Sequence, residues 1–238
     1  MAIAPRRRLR IPGRSSRAHL QSNELPLEKF PTLERLGYRH GFVGRVPDVE
    51  LSNDKAVVLA NLDQVHRQAR SALGLLEDAF ATAQQVHGDE IATIESPLAE
   101  DRCFEGCDGL ITNRRDVCLG IYVADCCAVY LVDRKQRAAA LIHSGKRGTE
   151  LRIVSKAIAQ IREKFSIESR DLIAQLSPCI RPPHYEVDFA AEIIRQCRAA
   201  GLEEVHDSGV CTACNLNAYY SHRIEKGRTG RMLAMLAL

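Results

Sequence analysis

Residues 117–143 read VCLGIYVADCCAVYLVDRKQRAAALIH, and this stretch decides the fold. Val117–Val123, Ala128–Val132 and Ala138–His143 are three runs of β-branched or small apolar residues with few charges, separated by short polar breaks. Strands that alternate apolar and polar residues face water on one side. Strands apolar on both faces are covered on both sides, which predicts sheets buried under further layers.

Working outward, Phe80–Val86 and Ile91–Ile94 predict two more strands around the turn His87-Gly88-Asp89, and Asp108–Thr112 a third. A short strand is predicted over Tyr38–Val46, another over Leu172–Leu176, and a buried terminal strand over Met232–Leu238. Val58, Leu62, Val65, Ala69 and Leu73 recur at steps of three and four, so residues 54–73 predict an amphipathic helix closed by Gly74. A second helix is expected to begin at Thr149, with Ile153, Val154, Ala157, Ile158, Ile161 and Phe165 as its buried stripe, and a third to span Phe189–Ala200. Strands interleaved with helices define an α/β protein.

With 238 residues, 45% hydrophobic and 26% charged, the chain can bury a sizeable core, and one domain over 24–238 is the expectation. The formal charge of +3 owes much to Arg6, Arg7, Arg8, Arg10, Arg14 and Arg17, all ahead of the first acid, Glu24. Residues 1–23 therefore read as a flexible basic tail, with an organellar leader or a nucleic-acid arm as the other readings of that composition. The rest is near neutral, so no nucleic-acid partner is expected. No apolar run approaches the ~20 residues of a membrane span, so no membrane association is expected. Nine scattered cysteines fit a reduced, cytoplasmic setting better than a disulfide framework.

The chemistry concentrates at strand ends. His87, Cys126 and His143 each stand where an apolar run gives way to a turn, and Asp125 sits beside Cys126, where an isolated carboxylate would be costly. Individually each has a plain explanation, as a turn histidine, a core cysteine or a cap. Together, two imidazoles and a thiolate form a three-ligand set that leaves one position of tetrahedral zinc open to water or a substrate oxygen. Asp125 and Cys126 are the expected catalytic residues, with Asp125 as proton handler or orienter; adjacent strand residues face opposite ways, so sharing a site requires a bulge or strand end. Arg45, Lys146 and Arg147 lie on expected loops, the last two between glycines ahead of the Thr149 helix, and are expected to bind substrate or phosphate.

The ordered series His40-Gly41-Phe42 with Arg45, Gln85-Val86-His87-Gly88, Asp108-Gly109-Leu110-Ile111-Thr112, Ala124-Asp125-Cys126, His143-Ser144-Gly145-Lys146-Arg147-Gly148, Tyr185-Glu186-Val187, and Cys211-Thr212 through Thr229-Gly230-Arg231 resembles the laccase-domain family. That family was named for polyphenol oxidase activity and later associated with purine nucleoside phosphorylase and adenosine deaminase chemistry. The resemblance implies mixed β-sheets sandwiched between helices, zinc on His87, Cys126 and His143, and cleavage of adenosine- or inosine-type purine nucleosides by phosphate, with deamination of adenosine. A monomer or small homo-oligomer is expected. Ala128 stands where the family usually has proline and Lys146 where it usually has tryptophan, and the 177–184 loop also departs; Lys146 and Arg181 are read as favouring a more anionic substrate.

Two other readings are weighed. A copper-dependent, laccase-like oxidase with a multicopper centre needs His-x-His pairs, whereas the chain has eight histidines and no such pair; a single copper site would draw its axial ligand from Met232 or Met235. A non-enzymatic zinc-binding interaction protein is the other class, and Cys211-x-x-Cys214 with Cys103-x-x-x-Cys107 offers a four-thiolate alternative.

Overall fold

The computed structural model describes residues 25–238. The basic tail lies outside the described residues. Twelve strands form two six-stranded sheets. The first runs, in spatial order, β1 (Leu27–Glu28), β2 (Arg39–Val43), β12 (Met232–Ala237), β7 (Val117–Val123), β3 (Ala79–Ala83) and β5 (Arg102–Phe104). The second runs β11 (Glu204–Asp207), β10 (Leu172–Leu176), β8 (Cys127–Asp133), β9 (Ala139–Ser144), β6 (Gly109–Thr112) and β4 (Ile91–Ile94). Both are mixed: β7 pairs antiparallel with β12 and parallel with β3, and β10 pairs antiparallel with β8 and parallel with β11.

Alternation along each strand explains the doubly apolar runs. On β8, Ala128, Tyr130 and Val132 enter the core between the sheets, while Cys127, Val129 and Leu131 enter a second core on the outer face. On β12, Met232, Ala234 and Leu236 face the other sheet and Leu233, Met235 and Ala237 face outward. The outer core of the first sheet is closed by Val58, Leu62 and Ala69 of α2 (Lys55–Ala72). That of the second is closed by α4 (Ile153–Phe165) and α5 (Phe189–Ala199). The order is helix, sheet, sheet, helix, as the resemblance implies, with a short α1 (Pro31–Arg35) beside β2. Asp54 caps α2 by accepting the Ala56 N–H at 2.8 Å.

Two expectations need correction. The helix expected from Thr149 is two: α3 (Lys146–Glu150), capped by Gly145, and α4, separated by Arg152 in the left-handed region at φ 61°. The Thr149 carbonyl is claimed by Gln196 Nε2 at 2.9 Å, which pins the first turn to α5 and lets α4 take its own direction across the sheet. The strand expected over Phe80–Val86 stops at Ala83. The side-chain amide of Gln85 completes the pairing in the backbone's place, donating to the Tyr122 carbonyl and accepting the Tyr122 N–H, so the main chain is free to turn away. The short edge strands β1, β5 and β11 have no strong alternation in sequence and are defined by their neighbours. Among the described residues, no helix is long and apolar enough to cross a membrane.

Candidate metal centre and cleft

Three strand ends converge. The Gln85–Gly88 loop leaves β3, residues 124–126 connect β7 to β8, and His143 lies near the end of β9. The ligating atoms of His87, Cys126 and His143 all lie within 4.8 Å of one another, and no other group of three or more His, Cys, Asp or Glu side chains does so among the described residues. Cys126 Sγ is 4.0 Å from His87 Nε2, and the two imidazole rings meet edge to face with centroids 4.9 Å apart. Close approach is built into the backbone. A Cβ at position 145 would come within 2.5 Å of Cys126 Sγ, so glycine lets the turn approach the thiol without displacing it.

Behind the cluster stands Asp108, fully buried at the start of β6. Its carboxylate faces His143 Nδ1 at 2.8 Å and accepts the backbone N–H groups of Val86, His87 and Gly88 at 3.1, 2.9 and 2.7 Å. One carboxylate therefore organises two of the three candidate ligands. It places the proton of His143 on Nδ1, which leaves Nε2 for a metal, and it folds the loop carrying His87, which takes φ 59°. Burial opposes charge on Asp108, but His143 and the Gly88 and His87 N–H groups outweigh it and hold the carboxyl below its ordinary range.

The thiol and imidazole shift one another. Burial pushes the Cys126 thiol up, yet His143 and His87 beside it bring it down to about 6. Burial likewise works against a charged His143, and Cys126 and Asp108 raise it to about 9. A thiolate and two imidazoles around one point fit a borderline-soft divalent ion, and three ligands leave a position open.

The cluster opens into a cleft of about 690 Å³. Aromatic side chains Tyr122, Tyr185 and Phe189 line it, the last two edge to face at 5.8 Å, together with Ile180 and the charged groups Lys55, Lys146, Arg147, Glu150, Arg223 and Arg231. Asp125 lies in the wall. It takes φ 83° between β7 and β8, the strand-end distortion that sharing a site with Cys126 requires. Its carboxylate is oriented on both oxygens, accepting the Thr212 hydroxyl at 2.7 Å and the Arg223 N–H at 2.7 Å.

Of the expected substrate-binding cations, Lys146 and Arg147 line the cleft, in the first turn of α3 and not in a loop ahead of it. Arg45 does not line it. The Arg45 guanidinium lies 4.4 Å over the Tyr220 ring and pairs with Glu225 at 2.5 Å, joining β2 to the 219–225 segment. Arg181 is also withdrawn, paired with Asp207 at 2.5 Å. His40 is buried, accepting the Phe30 N–H at 2.8 Å and donating from Nδ1 to the Tyr38 carbonyl at 2.9 Å, so it is structural. All nine cysteines are free, and Cys103, Cys107, Cys211 and Cys214 do not assemble into a ligand group.

Sequence reasoning missed Asp108 as the orienter, and His222, Arg223, Lys55 and Arg231 as cleft residues. Asp108 had a signal: an acid opening an apolar strand is costly unless it is partnered.

Fold and site define a two-sheet α/β protein with a His-Cys-His group at the sheet ends, opening into a polar-rimmed cleft. The chain belongs to the laccase-domain family: the family model described as multi-copper polyphenol oxidoreductase laccase matches residues 48–193 and 187–238. A purine nucleoside phosphorylase of Deinococcus radiodurans is 31% identical, over 90% of this chain and 93% of that protein. A purine nucleoside phosphorylase of Mycobacterium tuberculosis is 26% identical, over 78% of this chain and 81% of that protein. The solved structure of YlmD from Geobacillus stearothermophilus superposes with a TM-score of 0.73 at 23% identity, covering 83% of this chain and 90% of YlmD. A Neisseria meningitidis protein, NMB0706, shares the fold with a TM-score of 0.68 at 19% identity, covering 84% of this chain and 91% of that one.

Proposed function

We propose that residues 24–238 act as one zinc-dependent catalytic domain that cleaves purine nucleosides of the adenosine or inosine type with phosphate. The observation that carries this reading is the convergence of His87, Cys126 and His143, oriented by Asp108, at a cleft large enough for a nucleoside. The purine nucleoside phosphorylase names of relatives that match most of their length supply the substrate class.

The same three residues would hold the zinc ion, which when bound supplies Lewis-acid polarisation of an oxygen at its open position. Tyr185 and Phe189 present an apolar aromatic wall against which a planar base packs. Lys146 and Arg147, in the first turn of α3, draw anionic groups to the rim. In phosphorolysis a phosphate oxygen bonds to the anomeric carbon while the bond from that carbon to the purine nitrogen breaks, and the departing nitrogen takes up a proton. Asp125 is the proton-handling group. Thr212 and Arg223 fix its carboxylate through one hydrogen bond to each oxygen, which leaves a lone pair on each for the substrate side.

Zinc is preferred over copper because the methionines that could cap a blue-copper site are elsewhere: Met232 and Met235 are fully buried in the two cores flanking β12. The test is chromatography of purine nucleosides incubated with purified protein, with and without phosphate. Release of free base only when phosphate is present is the expected result. Untouched nucleosides, or oxidation of phenols by a copper-loaded protein in their place, overturns it; ammonia release from adenosine without phosphate assigns the cleft to deamination.

A further inference from the structure

Among the described residues three cleft cations form no ion pair with a carboxylate, and of these Arg147 is exposed while Lys55 and Arg231 are half-buried. Lys55 is the first residue of α2, the end of a helix where the backbone already leaves partial positive charge and an acid is the favourable choice; that first turn contains no acid. Asp54, just ahead of it, uses its carboxylate as the cap on Ala56. Arg231 stands immediately before β12. An isolated bridge between Ser52 and Thr229, with Arg228 Nε donating to the Leu51 carbonyl at 3.1 Å, ties the segment entering α2 to the loop entering β12, and both side chains reach the same cleft.

Among the described residues their polar contacts are backbone carbonyls alone. Lys55 Nζ donates to Gln84 at 3.0 Å, and Arg231 Nη1 donates to Gly230 at 2.8 Å and Thr229 at 3.4 Å. The neighbouring cations are treated differently: Arg223 and Lys146 share Glu186 at 2.9 and 3.7 Å. Lys55 and Arg231 are also half-buried. Burial lowers both from their ordinary values, and the charge of Arg231 lowers Lys55 further. Cys103 and Asp108 act the other way on Lys55, and Cys126 and Asp125 on Arg231, but none of them forms an ion pair with either cation, so an anion in the cleft would give both a direct partner.

We propose that Lys55 and Arg231 form a subsite for a phosphate-type anion. The anion would be held between the N-terminus of α2 and the loop entering β12. Lys55 is fixed against Gln84, which directly precedes the loop carrying His87, so the subsite adjoins the His-Cys-His group. It assigns anion binding to α2 and β12, leaving Lys146 and Arg147 of α3 at the rim. The assignment rests on the nucleoside reading only for the identity of the ligand, which is either free phosphate or the phosphoryl group of a phosphorylated nucleoside.

The experiment is calorimetric titration of the purified chain, its metal content measured, with inorganic phosphate and separately with adenosine 5′-monophosphate. Lys55→Gln and Arg231→Gln are each expected to weaken binding about tenfold, the effect of losing one charge-assisted hydrogen bond, and the double variant more. Lys55→Arg and Arg231→Lys keep the charge and are expected to stay within about threefold of wild type. Loss toward inorganic phosphate identifies free phosphate as the ligand, and loss toward the nucleotide alone identifies a phosphorylated substrate. A folded double variant, with wild-type melting and metal content, that binds both anions as wild type does overturns the subsite; so does a wild type that binds neither. Calorimetry needs no turnover. A chain that binds phosphate through this pair but cleaves no nucleoside overturns the phosphorolysis reading alone.

Discussion

His143 and His66 are both about 4% exposed, and the structure treats them in opposite ways. His143, at a sheet end, has Asp108 on one ring nitrogen and Cys126 near the other, and the pair raises it to about 9 against the effect of burial. His66, in the middle of α2, packs at 5.6 Å on the Tyr122 ring with Nε2 lacking any partner among the described residues, and burial lowers it to about 4. Burial alone therefore makes a histidine inert and neutral. Converging partners hold it charged and place it in a group that could bind a metal.

The widest separation between the two regions is expected from truncation. Cys126→Ala and His143→Ala should each strip most of the bound zinc and lower nucleoside turnover by about 10³-fold, roughly 4 kcal/mol in the barrier. His66→Leu, by contrast, should leave zinc content and turnover near wild type. Zinc by atomic absorption and turnover by chromatography check both, and equal behaviour of the two regions would erase the distinction.

Next in size is the response to acid. The folded-state pKa of His66 is depressed, so the unfolded chain binds the extra proton first, and stability present above about pH 6.5 is lost as the pH falls toward 4. A shift from 6.5 to about 4 amounts to about 3 kcal/mol between pH 7 and pH 4. Urea unfolding at several pH values should show that slope flattened in His66→Leu. An unchanged slope would remove His66 as its source.

A finer test lies behind the metal group. Asp108→Asn keeps the size of the side chain but offers His143 a weaker acceptor and removes the carboxylate that the 86–88 N–H groups share. Zinc affinity should drop about 10- to 100-fold, measured by competition with a chelator. Asp125→Asn, facing the cleft, should leave affinity intact and lower turnover. The smallest expected effect belongs to Gly145→Ala, whose Cβ would press on Cys126 Sγ. A loss of about tenfold in zinc affinity is expected as the ligand shifts, and retention of wild-type affinity would show that the 145–146 turn yields.

Much of this was legible in the chain. Val117–Val123 and Leu172–Leu176 were bounded to the residue, because apolar runs between turn residues leave little freedom in where a buried strand starts and stops. The stripe of α4 was visible even though its start was not, since the break at Arg152 goes with a tertiary contact, Gln196 on the Thr149 carbonyl, that no local pattern carries. The convergent His-Cys-His group was readable because imidazole and thiolate at strand ends are chemically distinctive. Arg45 and Arg181 misled, since a guanidinium on a loop looks the same in sequence whether it faces a ligand or a carboxylate such as Glu225 or Asp207.

Sequence alone determined the doubly covered sheets, the family and the three side chains of the candidate metal group, because these depend on periodicity and on what each side chain can bind. Tertiary structure alone decided which carboxylate stands behind His143 and which cations remain unpaired. Asp108 and His143 are 35 residues apart and meet because β6 pairs with β9. Lys55 and Arg231 share a cleft because the segment before α2 is bridged to the loop before β12. Partnership between distant charges is a property of strand pairing and layer packing, and no local window of sequence contains it.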